Sequence, residues 1–538
     1  LFLVVGTLRG TPPLVALAGC VLALLMALYL AFYPTAILLR RKKIELSWWV
    51  PPGDQPGGAL AVDRVFLLHL AFRNHGSRLL RILSTNILTA SGIEIDERPS
   101  ATVRRGQQVE VTTNVRPLTA GYHVLHGAAL MFGDILALFE IEAFFPNPIA
   151  VKVFPRTLAL RAHPVRAAAG ALHEQVGLHS VKRRGLSGEL REIREHSHGD
   201  PFKFIAWKAT ARRGKLMVRE LENEIVTTHM LLVDVGSGMR QGPLGRAPID
   251  WACDAAAAIG RIAIGSSDRI GMVAWDTRPI VELQPDTGHH HYLQLVDRTL
   301  DTRSIVDADL TDVTSGELVA LVARYLAHQE AIDVRIKIAP PLDDPRWTQI
   351  QAGPDGQLYD VAATGRLCKR LIDVMLGKED KKVKPPTIVD DDLQLRPLRL
   401  FCRLRGIELP YRATWEHGRR ATGFAAAVER AVANTRPDVA VIISDLAGLA
   451  EDEARAKRAL ARLRRAAGSV VAIVPAATGF LPAATTPHGR RVRELMVRDQ
   501  QALMEPGRQL LLRHGVRVIE GSPAASLEAL LHGRRVAA

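Results

Sequence analysis

The chain has 538 residues, of which 47% are hydrophobic and 23% are charged. This composition excludes a largely disordered protein, and the length exceeds what one hydrophobic core organises, so we expect roughly two to four domains. The formal net charge of +14 is compatible with nucleic acid, anionic lipid or acidic proteins as partners. Because the basic residues are spread along the chain and often lie at predicted helix ends, we expect no nucleic-acid partner.

The four cysteines, Cys20, Cys253, Cys368 and Cys402, lie far apart and show no CxxC spacing. That pattern indicates neither a zinc ribbon nor a disulfide framework. Reduced thiols in the cytoplasm fit it best.

The run from Leu14 to Phe32 is uncharged and has about the 20 residues needed to cross a bilayer. A signal peptide is the alternative, but no cleavage-like site follows the run. The basic cluster Arg40–Lys43 predicts, by the positive-inside rule, an inner-membrane protein with its later residues in the cytoplasm. Residues 1–43 are therefore the predicted membrane anchor, with one span or the second span of a hairpin whose first begins before Leu1.

Short alternating runs separated by Gly, Pro and Asn follow the anchor, at residues 64–70, 108–112 and 150–154. Such spacing predicts an immunoglobulin-like β-sandwich over residues 44–157. Residues 158–227 form a separate signature and linker region.

From residue 228 onward, apolar strands alternate with amphipathic helices, which predicts a doubly wound, mostly parallel α/β sheet. The predicted strands are Thr228–Val233, Arg269–Trp275, Ile280–Leu283, Asp438–Ser444, Ser469–Val474 and Val516–Glu520. Proline pairs and a mixed charge run mark residues 332–393 as an exposed, partly flexible insertion.

The first strand ends in Asp234, followed by Val235, Gly236, Ser237 and Gly238. Ligand sites of parallel sheets lie at such carboxyl ends. The sequence resembles the metal-ion-dependent adhesion motif of von Willebrand factor A domains, Asp-x-Ser-x-Ser, and the resemblance implies the fold of that family.

Glycine replaces both serines of that motif, at Gly236 and Gly238, so two oxygen ligands of Mg²⁺ are missing. Asp445 matches the second acidic position of the family, and Thr422 is a weaker candidate for its threonine. We therefore expect a degenerate metal site at Asp234, Asp445 and Thr422, with at most weak Mg²⁺ binding and no other cofactor. Without a cation, the two carboxylates would repel each other.

A second resemblance lies upstream and is denser. It is similar to the signature of domain-of-unknown-function family 58, a prokaryotic group with von Willebrand A-like character, and it extends over residues 14–300 and 395–538. The signature is carried by Gly185–Glu195, Gly199–Pro201, Ile205–Leu216 and Val218–Glu220. The resemblance implies a component of systems built with MoxR-type AAA+ ATPases, and it implies no catalytic activity.

Within the signature, Trp207, Lys208, Arg212 and Arg213 have two interpretations. They could form a cation and aromatic patch that binds a partner. We favour the other interpretation, in which they brace the β-sandwich against the α/β domain through Glu192, Glu195 and Asp200.

Three hypotheses for function follow. The favoured one is a non-enzymatic, membrane-anchored adaptor that presents its α/β domain to a MoxR-type AAA+ ATPase or another membrane-complex protein. The second is a metal-dependent enzyme using a cleft at Asp234 and Asp445, although no nucleophile accompanies them. The third, a binder of anionic lipid or nucleic acid, depends on net charge alone.

Overall fold

The computed structural model describes most of the chain. The described residues are 10–40, 43–50, 60–89, 92–134, 136–156, 184–185, 189–197, 200, 202–222, 226–330, 332–341, 343–375, 388–412, 418–433 and 435–523. They form two compact units, Leu1–Arg156 with Arg303–Ala413, and Thr157–Thr302 with Thr414–Ala538.

The first unit begins with helix α1, Pro12–Arg40, which contains the predicted span. Its stretch Pro12–Thr35 has a mean hydropathy of 2.6, and it is the one helix in the described ranges that is long and apolar enough to cross a membrane. A signal sequence would satisfy the same criteria of length and composition. Arg41 and Lys42 of the basic cluster lie outside the described residues.

Residues 44–154 form two sheets. One has the strand order β1-β3-β7-β5 and the other β2-β9-β8-β4-β6. The sequence pattern explains why these residues form strands with one buried face. In strand β1, side chains alternate strictly between buried and exposed positions. The strands are β1 (Ile44–Trp49), β2 (Leu60–Ala61), β3 (Phe66–Asn74), β4 (Leu80–Thr89), β5 (Ile93–Ile95), β6 (Ala101–Val103), β7 (Gln108–Pro117), β8 (Gly121–Gly133) and β9 (Glu140–Phe154).

A helical part, residues 303–412, completes this unit. It contains α5 (Ser315–Gln329), β16 (Ile350–Ala352), β17 (Leu358–Asp360), α6 (Val361–Met375) and α7 (Arg396–Arg405). Its helices share a core that includes Leu318, Phe401 and the fully buried Cys368. The prediction of an exposed insertion at 332–393 is therefore wrong for α6, because an amphipathic helix lies between the proline-rich turns and packs into this core.

The second unit contains a small three-stranded sheet and a larger mixed one. The small sheet has the order β10-β12-β11 and the large one β15-β14-β13-β18-β19-β20. The first half of the unit contains β10 (Arg184–Gly185), β11 (Glu189–Glu195), α2 (Trp207–Arg213), β12 (Met217–Glu222), β13 (Thr228–Asp234), α3 (Pro248–Gly265), β14 (Arg269–Trp275), β15 (Pro279–Asp286) and α4 (His289–Asp301). The second half contains α8 (Arg419–Ala433), β18 (Val439–Ile443), α9 (Glu453–Ala466), β19 (Ser469–Pro475), α10 (Ala477–Phe480), α11 (Pro487–Arg513) and β20 (Arg517–Gly521).

The six predicted strands of the large sheet agree with the structure to within a few residues. Five of them are parallel, and only β15 pairs antiparallel, with β14. The chain starts at β13, adds β14 and β15 on one side, and then returns to add β18, β19 and β20 on the other. The point where the order reverses lies between β13 and β18, where parallel α/β sheets bind ligands.

Candidate functional site

Three aspartates meet at the carboxyl end of the large sheet. Asp234 is the last residue of β13, Asp276 directly follows β14, and Asp445 comes two residues after β18. Their side chains are buried, and Asp234 has no exposed surface at all. Asp234 and Asp445 are the two acidic residues that the resemblance to the adhesion motif implies, whereas Asp276 is not indicated by that motif.

The side chain between these carboxylates belongs to Arg420, near the start of helix α8. Its Nη2 atom lies 2.5 Å from Oδ2 of Asp234 and 3.0 Å from Oδ1 of Asp445. Its Nη1 atom lies 3.3 Å from Oδ1 of Asp276. Only 4% of Arg420 is exposed. We call these four residues the Arg420 cluster.

Neighbouring groups fix the cluster in position. The Ser444 hydroxyl donates a hydrogen bond of 2.5 Å to Oδ2 of Asp234, and the backbone N–H of Gly236 donates one of 2.9 Å to Oδ1. The guanidinium carbon of Arg420 lies 5.5 Å from the centre of the buried Trp275 ring. A cation over an aromatic face gains electrostatic attraction, which is larger when both groups are away from water.

Gly236 and Gly238 leave the space that the cluster occupies. A Cβ atom on Gly236 would lie 1.3 Å from Nη1 of Arg420, and one on Gly238 would lie 1.9 Å from Oδ2 of Asp445. A guanidinium tip is usually free to move aside, but this one is held by three carboxylates. A serine at position 236 is therefore incompatible with Arg420 in its present place.

A third glycine brings helix α8 close enough for Arg420 to reach the site. Gly423 lies three residues after Arg420, on the same side of the helix. A Cβ atom there would lie 1.8 Å from the backbone oxygen of Asp276. Since a backbone oxygen cannot rotate away, any larger residue would push the helix out from the end of β14.

The cluster contains three carboxylates and one guanidinium, so its full ionisation would leave excess negative charge in a buried place. Burial raises the pKa of Asp234 to about 7, and repulsion from Asp445 adds to the rise. The positive charge of Arg420 and the hydrogen bonds from Ser444 and Gly236 act in the opposite direction. Uptake of a proton by Asp234 thus brings the cluster closer to neutrality.

These residues do not fit a Mg²⁺ ion. The oxygens of Asp234 already accept bonds from Arg420, Ser444 and Gly236, and the guanidinium stands between Asp234 and Asp445 where a cation would have to bind. Across the part of the chain that the structure describes, no group of three or more His, Cys, Asp or Glu side chains could hold a metal ion. In this structure the place between the predicted metal ligands Asp234 and Asp445 is filled by the chain's own cation.

Thr422, the predicted threonine ligand, does not take part. Its exposed hydroxyl donates to the Gly418 carbonyl oxygen, 3.1 Å away, and accepts from Arg455. The physical reason is helical geometry, because two residues of an α-helix that are two positions apart point in directions about 200° apart. Arg420 faces the carboxylates, so Thr422 faces away from them.

The signature residues lie elsewhere in the second unit, on α2 and the strands of the small sheet. Trp207 is 66% exposed, and Lys208, Arg212 and Arg213 are exposed as well. Asp200 pairs with Arg194 through two bonds of 2.8 Å, and Glu195 pairs with Lys215. The ring of Trp207 is thus exposed to water, and the interpretation of these residues as a brace between two domains stays a prediction. Of the signature, Leu186–Gly188, Gly199 and Pro201 lie outside the described residues.

Removal of Arg420 is the first test of the cluster. The variant Arg420→Met keeps the length of the side chain and leaves three buried carboxylates without their cation, so we expect a loss of about 3–5 kcal/mol in unfolding free energy. Denaturant unfolding of the detergent-solubilised chain measures it. Arg430→Met, on the same helix with its side chain 64% exposed, is the control and should cost well under about 1 kcal/mol. Equal losses in both variants would contradict the role assigned to Arg420.

The raised pKa of Asp234 predicts a particular dependence on pH. Its folded form binds a proton more tightly than its unfolded form, so its stabilising contribution is full below about pH 4 and falls as the pH rises toward 7. Asp234→Asn removes this term. The variant should therefore gain stability relative to the wild type between about pH 5 and pH 8. A difference that is flat or of opposite sign would show that Arg420 keeps Asp234 ionised throughout.

Two matches to known sequences were found. Residues 192–322 match the model of a family described as "Protein of unknown function DUF58". A protein of Bacillus subtilis (strain 168), "Uncharacterized protein YeaD", is 26% identical over 151 residues, which are 27% of this chain and 37% of that protein. The chain thus matches little more than a third of that relative's length.

Solved structures give only weak likenesses. A FixG-related protein from Vibrio parahaemolyticus is 9% identical with a TM-score of 0.15, and covers 21% of this chain and 97% of its own. An alpha-2-macroglobulin from Escherichia coli is 11% identical with a TM-score of 0.18, and covers 88% of this chain and 65% of its own. These scores carry no conclusion about fold. The comparisons therefore support one assignment, a DUF58 family domain at residues 192–322.

Proposed function

We propose that this protein is a membrane-anchored, non-catalytic adaptor whose second unit is a von Willebrand A-like domain. In this proposal α1 spans the inner membrane and both units lie in the cytoplasm. The partner is a MoxR-type AAA+ ATPase or another protein of the same membrane complex. The partner class follows from the family-58 signature, and the membrane location follows from α1 and its basic flank.

The order of the large sheet supports a von Willebrand A-like fold. Its first strand is central, its second and third lie to one side with the third antiparallel, and the remaining three lie to the other. The acidic residues of the adhesion motif, Asp234 and Asp445, stand at the point where the order reverses. This is the position at which a domain of that family would carry its metal.

The observation that carries the proposal is the position of Arg420. In an adhesion-type site the metal supplies the positive charge, and a partner can complete its coordination shell. Here a guanidinium supplies that charge permanently, with 4% of its surface exposed. The site then stabilises the loops at the carboxyl end of the sheet, and partner binding uses the surface of these loops without needing a metal.

The loop after β13 offers such a surface. Leu244 is 42% exposed and lies between the short helix Ser237–Arg240 and α3. The Arg240 side chain ties this loop down, since its Nε atom donates 2.9 Å to the carbonyl oxygen of Val235 and its Nη2 atom 2.5 Å to that of Thr302. An exposed leucine on a held loop can bury its apolar surface against a protein partner.

The alternative of a metal-dependent enzyme at Asp234 and Asp445 makes a different prediction about Mg²⁺. We expect millimolar Mg²⁺ to leave the melting temperature of the wild-type chain unchanged, because Arg420 occupies the place between the carboxylates. Arg420→Ala should gain a Mg²⁺-dependent rise, since binding to the folded state alone stabilises it. Calorimetry with Mg²⁺ or with chelator measures both. A rise in the wild type that Asp234→Asn abolishes would favour the metal-dependent enzyme.

The adaptor role predicts a defined complex. A MoxR-type AAA+ ATPase should co-purify with the wild-type chain from detergent-solubilised membranes and be identified by mass spectrometry. The variant Leu244→Asp should reduce recovery at least about tenfold, which corresponds to about 1.4 kcal/mol of binding free energy. Leu512→Asp, a leucine of α11 that is 45% exposed, is the matched control and should leave recovery unchanged.

Two results would contradict this proposal. One is equal recovery of the ATPase with wild type and Leu244→Asp, which would remove the loop after β13 from the interface. The other is catalytic turnover by the isolated chain that requires Asp234, which would make the protein an enzyme.

A further inference from the structure

A second surface of the same unit has an unusual charge. The 18 residues from Phe202 to Arg219 contain six basic side chains and no acidic one. The basic residues are Lys203, Lys208, Arg212, Arg213, Lys215 and Arg219. We call this stretch the basic segment.

The basic segment is a rigid feature. Its helix α2 ends at Gly214, whose φ of 65° lets the chain turn back into β12. The Ala206 N–H donates 2.8 Å to the carbonyl oxygen of Met217, and the Met217 N–H donates 3.0 Å to Oγ1 of Thr210. These bonds hold the helix against the strand, so its outer side chains are presented in a fixed arrangement.

Large apolar groups on this segment are exposed to water. Phe202 is 76% exposed, Trp207 66% and Leu216 45%. Trp207, Lys208 and Arg212 fall within about 140° on the outer side of α2, as the helical repeat of 100° per residue requires. The ring of Trp207 and these two cations thus share the exposed side of α2.

The nearby acidic residues whose side chains the structure describes do not neutralise this face. Asp200 is engaged by Arg194, whose bonds lower its pKa to about 2, and Glu195 pairs with Lys215. Within the described ranges, the other basic residues near the rings, Lys203, Lys208, Arg212 and Arg213, form no ion pair. An exposed surface with aromatic rings and uncompensated positive charge remains.

We propose that the basic segment binds the surface of a membrane that contains anionic lipids. Trp and Phe are the side chains that enter the interfacial layer of a bilayer, and Lys and Arg pair with anionic headgroups. An acidic protein would match the charge, but it would also need a pocket for rings that stand free at 76% and 66% exposure. A bilayer interface accepts both rings and cations without such a pocket.

Because the chain is already anchored, a small basic and aromatic surface is sufficient for the second unit to bind the bilayer. The inference rests on that part of the proposed function, because α1 would confine the second unit close to the bilayer and raise its effective concentration there. Each basic residue near an anionic leaflet favours contact by about fivefold. The four cations without ion pairs then favour contact strongly, and high salt should weaken it.

Lysine footprinting of the full chain tests the proposal. The chain is reconstituted into vesicles of phosphatidylcholine, with or without phosphatidylglycerol, and acetylated with a membrane-impermeant reagent. We expect labelling of Lys203 and Lys208 to fall at least about fivefold in the vesicles that contain phosphatidylglycerol, and to recover in high salt. Lys457, on α9 of the same unit, should be labelled equally in both.

Two variants show which groups are responsible. The double variant Phe202→Ser with Trp207→Ser removes exposed rings only, so the unit should stay folded and the protection of Lys208 should be lost. Leu503→Ser removes a leucine of α11 that is 59% exposed, and it should leave the protection unchanged.

Three results would overturn the inference. Equal labelling of Lys203 and Lys208 in both kinds of vesicle would remove the lipid contact while the chain stays anchored. Protection that appears only after addition of the AAA+ ATPase would assign the surface to a protein. Release of the chain from vesicles by alkaline carbonate would refute the anchor itself, and this inference with it.

Discussion

Burial of charge at the carboxyl end of the large sheet is the constraint on which the second unit depends. Three aspartates surround one arginine there, and none of the four is more than 7% exposed. Charges taken out of water are tolerated only when they are paired and hydrogen-bonded. Arg420 meets that requirement with contacts to three strand ends, so it ties helix α8 to β13, β14 and β18 at once.

In this arrangement the positions of the carboxylates and the nature of the cation between them are independent features. In the von Willebrand A-like fold that we propose, Asp234 and Asp445 take the positions of metal ligands, yet the cation between them is part of the polypeptide. A bound metal can be lost, exchanged or contested by a ligand, whereas a guanidinium on a packed helix cannot. The same carboxylates that would serve recognition in a metal site therefore serve the rigidity of the loops in this one.

Much of the large sheet could be predicted from the sequence, because its strands are short apolar runs bounded by Gly, Asp and Pro. Thr228–Val233 and Ser469–Val474 agree with β13 and β19 to within one residue. Helix α6 is hard to predict, since proline pairs and a charge run surround it and give the whole segment the composition of an exposed loop. Its buried face, which includes Cys368 and Ile372, becomes evident only when residues 361–375 are considered alone.

Only part of the Arg420 cluster could be predicted from the sequence. The resemblance to the adhesion motif, together with the rule of strand ends, points to Asp234 and Asp445. It could not identify Arg420, which is distant in sequence and follows Arg419, a residue of the same type. The available signal was the pair of glycines in the motif: missing side chains in a buried site imply that another group fills the space. The exposure of Trp207 could not be predicted, because a sequence signature does not distinguish a buried ring from an exposed one.

The fit between Gly236 and Arg420 also restricts how this site can change by single substitutions. A serine at 236 would overlap the guanidinium, since even its Cβ atom would lie 1.3 Å from Nη1. If Arg420 were replaced first, three buried carboxylates would be left without their cation. Each route between a metal-filled and an arginine-filled site thus passes through an intermediate sequence that is either overcrowded or uncompensated. The free energies of substitution at positions 236 and 420 should therefore be strongly coupled rather than additive.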